Sequence, residues 1–276
     1  MEKSSFCRKT MIIDCHVHVN QYELTQHIPL LEDRLKMLQT EMVSNNVDYA
    51  IILSSYKINS ERPSTEKIIE GIKKYDNLGV AAGFTIDHHT DEDLRRYRQL
   101  IKDGRIKAMK IYSGYEHYYP YDERYQKVYD TCIEFDIPVM FHTGDTFSST
   151  GKLRYSRPLN LDDVAVDNPE LKIVMCHLGN PWIQDAQEVI YKNHNVYADV
   201  SGLVVGSFDH FFEKMMKEKV AELINYAGEP RYLLYGTDWP ISSMDSYLNF
   251  VAKLTIKKEF RDYLMYKNAK KLFNIS

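Results

Sequence analysis

Eight short runs rich in valine and isoleucine, each followed by a longer amphipathic stretch, constrain this 276-residue chain more than any single motif does. The runs are Met11–Val19, Val47–Leu53, Leu78–Thr85, Ile106–Tyr112, Ile137–Thr143, Leu171–His177, Val196–Val200 and Tyr232–Gly236. Helical spacing fills the intervals. Leu30–Asn45 carries Leu31, Leu35, Leu38 and Met42 on one stripe, and Asp122–Phe135 carries Val128, Cys132 and Phe135. Ser64–Tyr75 opens on Ser-Thr-Glu, and Asp91–Lys102 is followed by Gly104, a helix stop. Asn160–Asp167, Trp182–Asn193, Phe211–Tyr226 and Ser242–Lys257 supply the remaining helices, and Lys258–Phe273 closes the chain. Strands alternating with helices imply βαβ units and a parallel sheet. Eight repeats in about 235 residues fit an α/β fold of the closed (β/α)₈ (TIM) barrel type, which typically takes about 250. The rival is an open doubly wound sheet. No GxGxxG or GxxxxGK[ST] follows the first run, so its nucleotide-binding versions lose support. Residues 11–276 are expected to form one catalytic domain, with 1–10 as an N-terminal extension.

Composition narrows the function classes. Hydrophobic residues make up 44% and charged residues 27%, the balance of a soluble globular chain. The net charge of −4 offers no basic excess to hold a phosphate backbone, so nucleic acid is not expected as a partner. The polar segment Met1–Thr10 leads into no apolar signal region, and no stretch is apolar enough to span a bilayer. Four cysteines, Cys7, Cys15, Cys132 and Cys176, form no CxxC pair and no disulfide framework. A cytoplasmic protein acting on a small molecule is the expectation.

In such a barrel the chemistry sits at the C-terminal ends of the strands. The first run ends Asp14-Cys-His16-Val-His18, and strand alternation puts Asp14, His16 and His18 on one face, with Cys15 and Val17 toward the helices. Two imidazoles at that spacing can reach one ion. The fifth run delivers His142 on the face of Met140. The sixth delivers His177 on the face of Met175, with Cys176 directed away, and the eighth delivers Asp238. One buried histidine is usually structural; titratable groups at four strand ends are harder to read so. Lys110 and Tyr112 face the barrel interior by parity, and an inward lysine is costly unless paired. It could meet a substrate carboxylate, carry a carbamate bridging two metals, or snorkel to the mouth. The loop Ser113–Tyr121 is rich in tyrosine and offers His117 as a polar contact. His88 and His89 are weaker candidates. Arg154 and Arg157 could bind an acidic substrate or be solvated charges, and Val204, Val205 and Phe208 suggest an apolar patch near the mouth. His27, His194 and His210 read as structural.

These segments, with Cys176-His-Leu-Gly-Asn, Tyr235-Gly-Thr-Asp-Trp-Pro and Asn268-Ala-Lys-Lys-Leu-Phe273, occur in an order that resembles the amidohydrolase-related family. The branch in question is the one containing aminocarboxymuconate-semialdehyde decarboxylase, and the likeness runs from Met11 to Phe273. It implies one divalent metal, usually zinc, on His16, His18, His142 and Asp238. Mn²⁺, Fe²⁺ or Co²⁺ suits the same donors. It implies His177 as the acid/base group, with Asp238 sharing proton transfer. Lys110, Tyr112 and His117 are the expected substrate contacts. Hydrolysis of a small ester, lactone or amide by metal-activated water is the first reading. Non-oxidative decarboxylation of an unsaturated or aromatic acid is the alternative, and an inactive metal-dependent binding barrel the third. The resemblance also brings in a homodimer as an assembly state.

Overall fold

The computed structural model describes residues 10–228 and 230–276. Cys7 and all but the last residue of the expected extension, 1–10, lie outside the described residues. Eight parallel strands run in chain order: β1 (Ile13–Val17), β2 (Tyr49–Leu53), β3 (Leu78–Gly83), β4 (Ile106–Ile111), β5 (Val139–Phe141), β6 (Ile173–Met175), β7 (Val196–Asp199) and β8 (Leu233–Leu234). Outside them lie α1 (Leu31–Ser44), α2 (Thr65–Gly71), α3 (Asp91–Lys102), α4 (Gln126–Glu134), α5 (Asn160–Asp167), α6 (Ile183–Lys192), α7 (His210–Ala227) and α8 (Met244–Ala252). The expected last helix is divided into α9 (Lys258–Asp262), a wider π turn over Tyr263–Lys267, and α10 (Asn268–Leu272).

Local chemistry sets the element ends. Thr90 and Asp93 form a reciprocal capping box that starts α3. The Asp209 carboxylate accepts from the Phe211 and Phe212 amides and starts α7. The expected strand runs overreach by one to several residues, because their ends turn into the loops that carry polar side chains.

Closure comes from the segment after β8. The Cys15 amide donates to Tyr235 O at 2.9 Å, Asp238 N to His16 O at 2.8 Å, and His18 N to Trp239 O at 2.7 Å. The barrel interior is filled by alternate residues, among them Ile13, Cys15, Ile51, Leu53, Ala81, Ala108, Met140, Val174, Cys176 and Leu234. Their neighbours in the strands, such as Val17, Ile52, Val80, Met109 and Phe141, pack against the helices. Leu272 and Phe273 join the interior cluster, so the chain's end covers one mouth of the barrel.

Two facing assignments are corrected here. Cys15 and Cys176 lie in the interior, not toward the helices. The register of β1 shifts between Asp14 and Val17, which breaks simple alternation. Asp14 is accordingly turned between β1 and the closing segment, where it accepts from Thr237 Oγ1 at 2.6 Å and from the amides of Thr237 and His16 at 3.1 Å.

Phe273 is fully buried in the interior cluster. Phe273→Ala is expected to cost about 3–5 kcal/mol of unfolding free energy, as large-to-small changes in closed cores do. Urea denaturation measures it; a loss under about 1 kcal/mol would mean that the end of the chain does not plug the barrel.

Candidate active site

A cleft of about 490 Å³ opens at the C-terminal ends of the strands. His16, His18, Lys110, Tyr112, His142, His177 and Asp238 all line it. His18 Nε2 stands 3.1 Å and His16 Nε2 3.5 Å from the same Asp238 oxygen. One ligand atom from each of these three residues falls within 4.8 Å of the other two. The His177 ring centroid is 4.8 Å from that of His16 and 5.0 Å from that of His142. His142 is part of the same cluster of rings but outside the tight triplet.

The outer nitrogens of these rings are already committed. His16 Nδ1 lies 2.9 Å from Asp199 Oδ2, and His18 Nδ1 lies 3.0 Å from the Leu53 carbonyl. An acceptor at Nδ1 fixes the proton there and leaves Nε2 as a bare lone pair turned to Asp238. The His142 ring is reversed: Nε2 lies 2.8 Å from Asp145 O, which leaves Nδ1 as the free nitrogen. Burial lowers the basicity of all three neighbours in this pocket: His16 falls to about 4, and His142 and His177 fall below the ordinary imidazole value. Asp238 is held well below the usual carboxylate range: burial opposes ionisation, but any proton shared with His18 or carried by the adjacent rings favours the carboxylate more strongly. Neutral nitrogens with free lone pairs beside an ionised carboxylate make a donor set that fits a divalent cation.

Asp199 organises the other side. Its Oδ1 accepts from the His177 amide at 3.0 Å and from the Ser201 hydroxyl at 2.5 Å, while Ser201 Oγ lies 2.9 Å from His177 Nδ1. A hydroxyl whose proton goes to Asp199 must accept from Nδ1–H, which assigns the bare Nε2 of neutral His177 to the cleft. Burial disfavours the Asp199 charge, yet His16 and His177 hold its pKa far down. Gly202 makes room for this arrangement: its φ is +60°, and a Cβ there would stand 2.3 Å from His177 Nδ1.

Backbone alternation alone delivers neither His177 nor Asp238. Met175 packs against the helices, so the shared face expected for it and His177 is corrected. His177 enters the cleft through a left-handed turn, φ 62°, and Asp238 through another, φ 67°. Such conformations in non-glycine residues are costly and collect at functional sites.

The remaining expectations divide. Lys110 is buried, with Nζ 2.9 Å from Cys176 Sγ and 5.1 Å from the Tyr112 ring centroid. Tyr112 donates to Ser54 O at 2.6 Å from the cleft wall. His117 does not line the cleft; it is exposed, approaches Thr150 O at 3.0 Å and stacks on Tyr155. Arg157 is taken up by Asp185 at 2.8 Å, and His89 by the Thr85 amide and Tyr97. Val204 and Val205 line the cleft, whereas Phe208 packs on Tyr247 and Phe250. Sequence reasoning passed over Asp199, Ser201, Lys57 and Arg62. Asp199 carries the same signal as the others, a polar residue at a strand's C-terminal end; Lys57 and Arg62 sit in a loop whose path no pattern fixes.

A second triplet, His16, Cys176 and Asp199, also lies within 4.8 Å. Its atoms are committed elsewhere: Asp199 to His16 and Ser201, and the Cys176 sulfur to Lys110. Burial raises the Cys176 pKa far beyond the ordinary thiol value, against thiolate ligation.

A family model described as Amidohydrolase matches residues 13–275. No curated protein matches the chain. Among solved structures, an uncharacterised TIM-barrel protein from Bordetella bronchiseptica is 20% identical with a TM-score of 0.74, covering 96% of this chain and 98% of that one. A probable 2-pyrone-4,6-dicarboxylic acid hydrolase from Acinetobacter baumannii is 15% identical with a TM-score of 0.68, covering 95% and 99%. A dihydroxybenzoic acid decarboxylase from Polaromonas sp. JS666, holding manganese, is 15% identical with a TM-score of 0.67, covering 96% and 97%. These likenesses show the barrel fold. Among the described residues no helix is long and apolar enough to cross a membrane.

The donor set predicts about one equivalent of a divalent transition metal per chain by elemental analysis of protein purified without chelator. His18→Ala is expected to lose it and Cys176→Ala to retain it. Two equivalents would instead recruit the Cys176 triplet or a Lys110 carbamate; none, even after zinc or manganese is added, would sink the metal reading.

Proposed function

Because the chain belongs to the amidohydrolase family, we propose that it is a metal-dependent hydrolase of a small ester, lactone or amide that carries an acidic group. The convergence of His16, His18 and Asp238 on one point of the cleft, with His177 beside them, carries this reading. His16, His18 and Asp238, joined by His142 through Nδ1, would hold a divalent ion, with zinc the first choice for three nitrogens and a carboxylate. Bound there, a divalent ion would supply Lewis acidity, to activate water and polarise a carbonyl.

The chain's own residues supply the rest. His177 Nε2 is bare and turned to the cleft, so it takes a proton during attack and returns it to the leaving group. Ser201 and Asp199 are positioning residues: they fix the tautomer and stabilise the imidazolium that forms. Asp238 is the second proton carrier beside it. Lys57 and Arg62 stand on the cleft wall with Lys110, a cationic lining suited to a carboxylate. Asn20 Oδ1 is buried on the same wall without a hydrogen-bond partner, and accepts from a substrate hydroxyl or amide.

A second reading, non-oxidative decarboxylation, is supported by the same cationic lining and by the likeness to the Polaromonas enzyme. In that case Lys57, Arg62 and Lys110 orient the acid, and His177, after taking a proton from solvent at Nε2, passes it to the carbon that loses CO₂.

Metal-loaded protein is to be tested on carboxylated lactones, esters and amides by proton release, and on aromatic and unsaturated acids by CO₂ release. Turnover in the first set supports hydrolysis, in the second carboxy-lyase chemistry; in neither, the binding-barrel reading gains. On whichever substrate turns over, His177→Ala is expected to lower kcat at least ~100-fold with metal retained, and Ser201→Ala about 10–100-fold. Arg62→Ala is expected to raise KM about tenfold with little change in kcat, the mark of an interaction equal in ground and transition states. Unchanged kcat in His177→Ala would remove it from the chemistry.

A further inference from the structure

A second cavity, about 270 Å³, opens between the loops that follow β2, β3 and β4. Tyr56, Lys57 and Tyr115 line both this pocket and the catalytic cleft. On its wall stands Glu116, only 7% exposed, and neither of its carboxyl oxygens has a hydrogen-bond partner. The buried Thr85 hydroxyl, on the same wall, and the Tyr112 backbone favour the ionised carboxyl, but neither reaches ordinary hydrogen-bond geometry with it. Burial, followed by repulsion from Asp87, pushes the Glu116 carboxyl up to about 8. Leaving a buried acceptor unsatisfied is expensive, and such groups in folded proteins mark a missing partner.

The surroundings say what kind of partner. Asp87, exposed at the pocket mouth, accepts from Tyr118 at 2.6 Å. His88 and His117 are exposed at the rim, and the unpartnered Tyr125 hydroxyl couples to Glu116 electrostatically. Lys57 is exposed, with Nζ 5.4 Å from the Tyr56 ring centroid, and forms no salt bridge among the described residues. Rings of Tyr56, Tyr115 and Tyr118 supply apolar wall. A calcium or magnesium ion needs six or more oxygens held close; two carboxylates, one aliphatic hydroxyl and three phenols, which are poor ligands for such ions, do not provide them. A neutral alcohol would satisfy one acceptor and leave the charge. An ammonium donates three hydrogen bonds, neutralises the carboxylate, and lets an alkyl chain run along the tyrosines.

We propose that this side pocket binds a primary ammonium group with Glu116 as its counter-ion, so that the substrate of the cleft bears an amine as well as an acid. The first half stands on the pocket alone; the second rests on the function proposed above. Binding draws Glu116 into its ionised form and releases a proton near neutral pH, a readout independent of turnover.

The test is calorimetric titration of the full-length, metal-loaded protein with n-butylammonium, and with butan-1-ol as the neutral isostere, at pH 7.0 in two buffers of different ionisation enthalpy. Wild type is expected to bind the amine at least tenfold more tightly than the alcohol, with buffer-dependent heat. Glu116→Gln is expected to lose that preference and the buffer dependence, and Asp87→Asn, at the exposed rim, to weaken the amine by about threefold, as an exposed charge would. Asp238→Asn is expected to bind the amine as wild type does, which separates the pocket from the catalytic centre. Equal affinity for amine and alcohol overturns the proposal. So does amine binding that survives Glu116→Gln, or that appears only in Lys57→Ala, which would make Lys57 the pocket's own occupant. If the amine binds but no amino acid derivative turns over, the pocket stands and the substrate assignment falls.

Discussion

The site exists because β1 is closed onto the segment after β8. Three backbone hydrogen bonds, Cys15 to Tyr235, Asp238 to His16, and His18 to Trp239, join the first and last turns of the barrel. They bring a carboxylate from residue 238 within 3.1 Å of an imidazole from residue 18. No local sequence preference could do this; only sheet closure brings such distant parts of the chain into contact. Asp14 belongs to the same seam. Burial raises its pKa to about 7, and hydrogen bonds from Thr237 and the His16 amide oppose that rise, so it acts as a tie and not as a ligand.

Electrostatics then decides what the gathered rings can do. Burial makes a positive charge costly on His16, His142 and His177, and the neighbouring cationic groups oppose it further. The pocket therefore keeps them neutral and concentrates negative charge on Asp199 and Asp238, whose pKa values fall although burial opposes it. Asp199 reaches His16 directly and His177 through Ser201, so one carboxylate sets the tautomers of a ligand candidate and of the acid/base candidate together. Fixing both rings in advance is what makes such a site effective, since the groups need no reorganisation when charge develops.

The sequence made the barrel legible because its periodicity is repeated eight times, and errors at single strand ends do not change the count. α3 falls where the pattern puts it, since Thr90 and Gly104 mark its two ends locally, and α5 falls where its spacing puts it without a side-chain cap. His16, His18, His142, His177 and Asp238 could be named as a group because all lie at strand ends on the face where barrels carry chemistry. What failed was alternation near those ends. The register shift in β1 and the left-handed turns at His177 and Asp238 rotate side chains by amounts that a two-residue period does not describe. Cys15 and Cys176 were therefore placed toward the helices although they fill the interior. His117 was assigned to the cleft on the strength of its loop, but the loop turns it toward the side pocket. Lys57 and Arg62 were invisible for the same reason.

Charge is distributed unevenly across the mouth, and that asymmetry narrows the ligand. The candidate active-site cleft has Lys57, Arg62 and Lys110 on its walls, while the adjoining pocket ends on Glu116 and Asp87. Lys57 lies on the boundary of the two, over the Tyr56 ring. A barrel that needed only apolar contact for specificity would not keep an unpartnered carboxyl buried beside its active site, since an aliphatic side chain would fill that wall without the desolvation cost. Nor would surface solubility place it there, because solubility asks for exposed charge. The arrangement makes sense when the two pockets bind one molecule whose opposite charges are held apart by the tyrosine wall, each end matched by the side chains that face it.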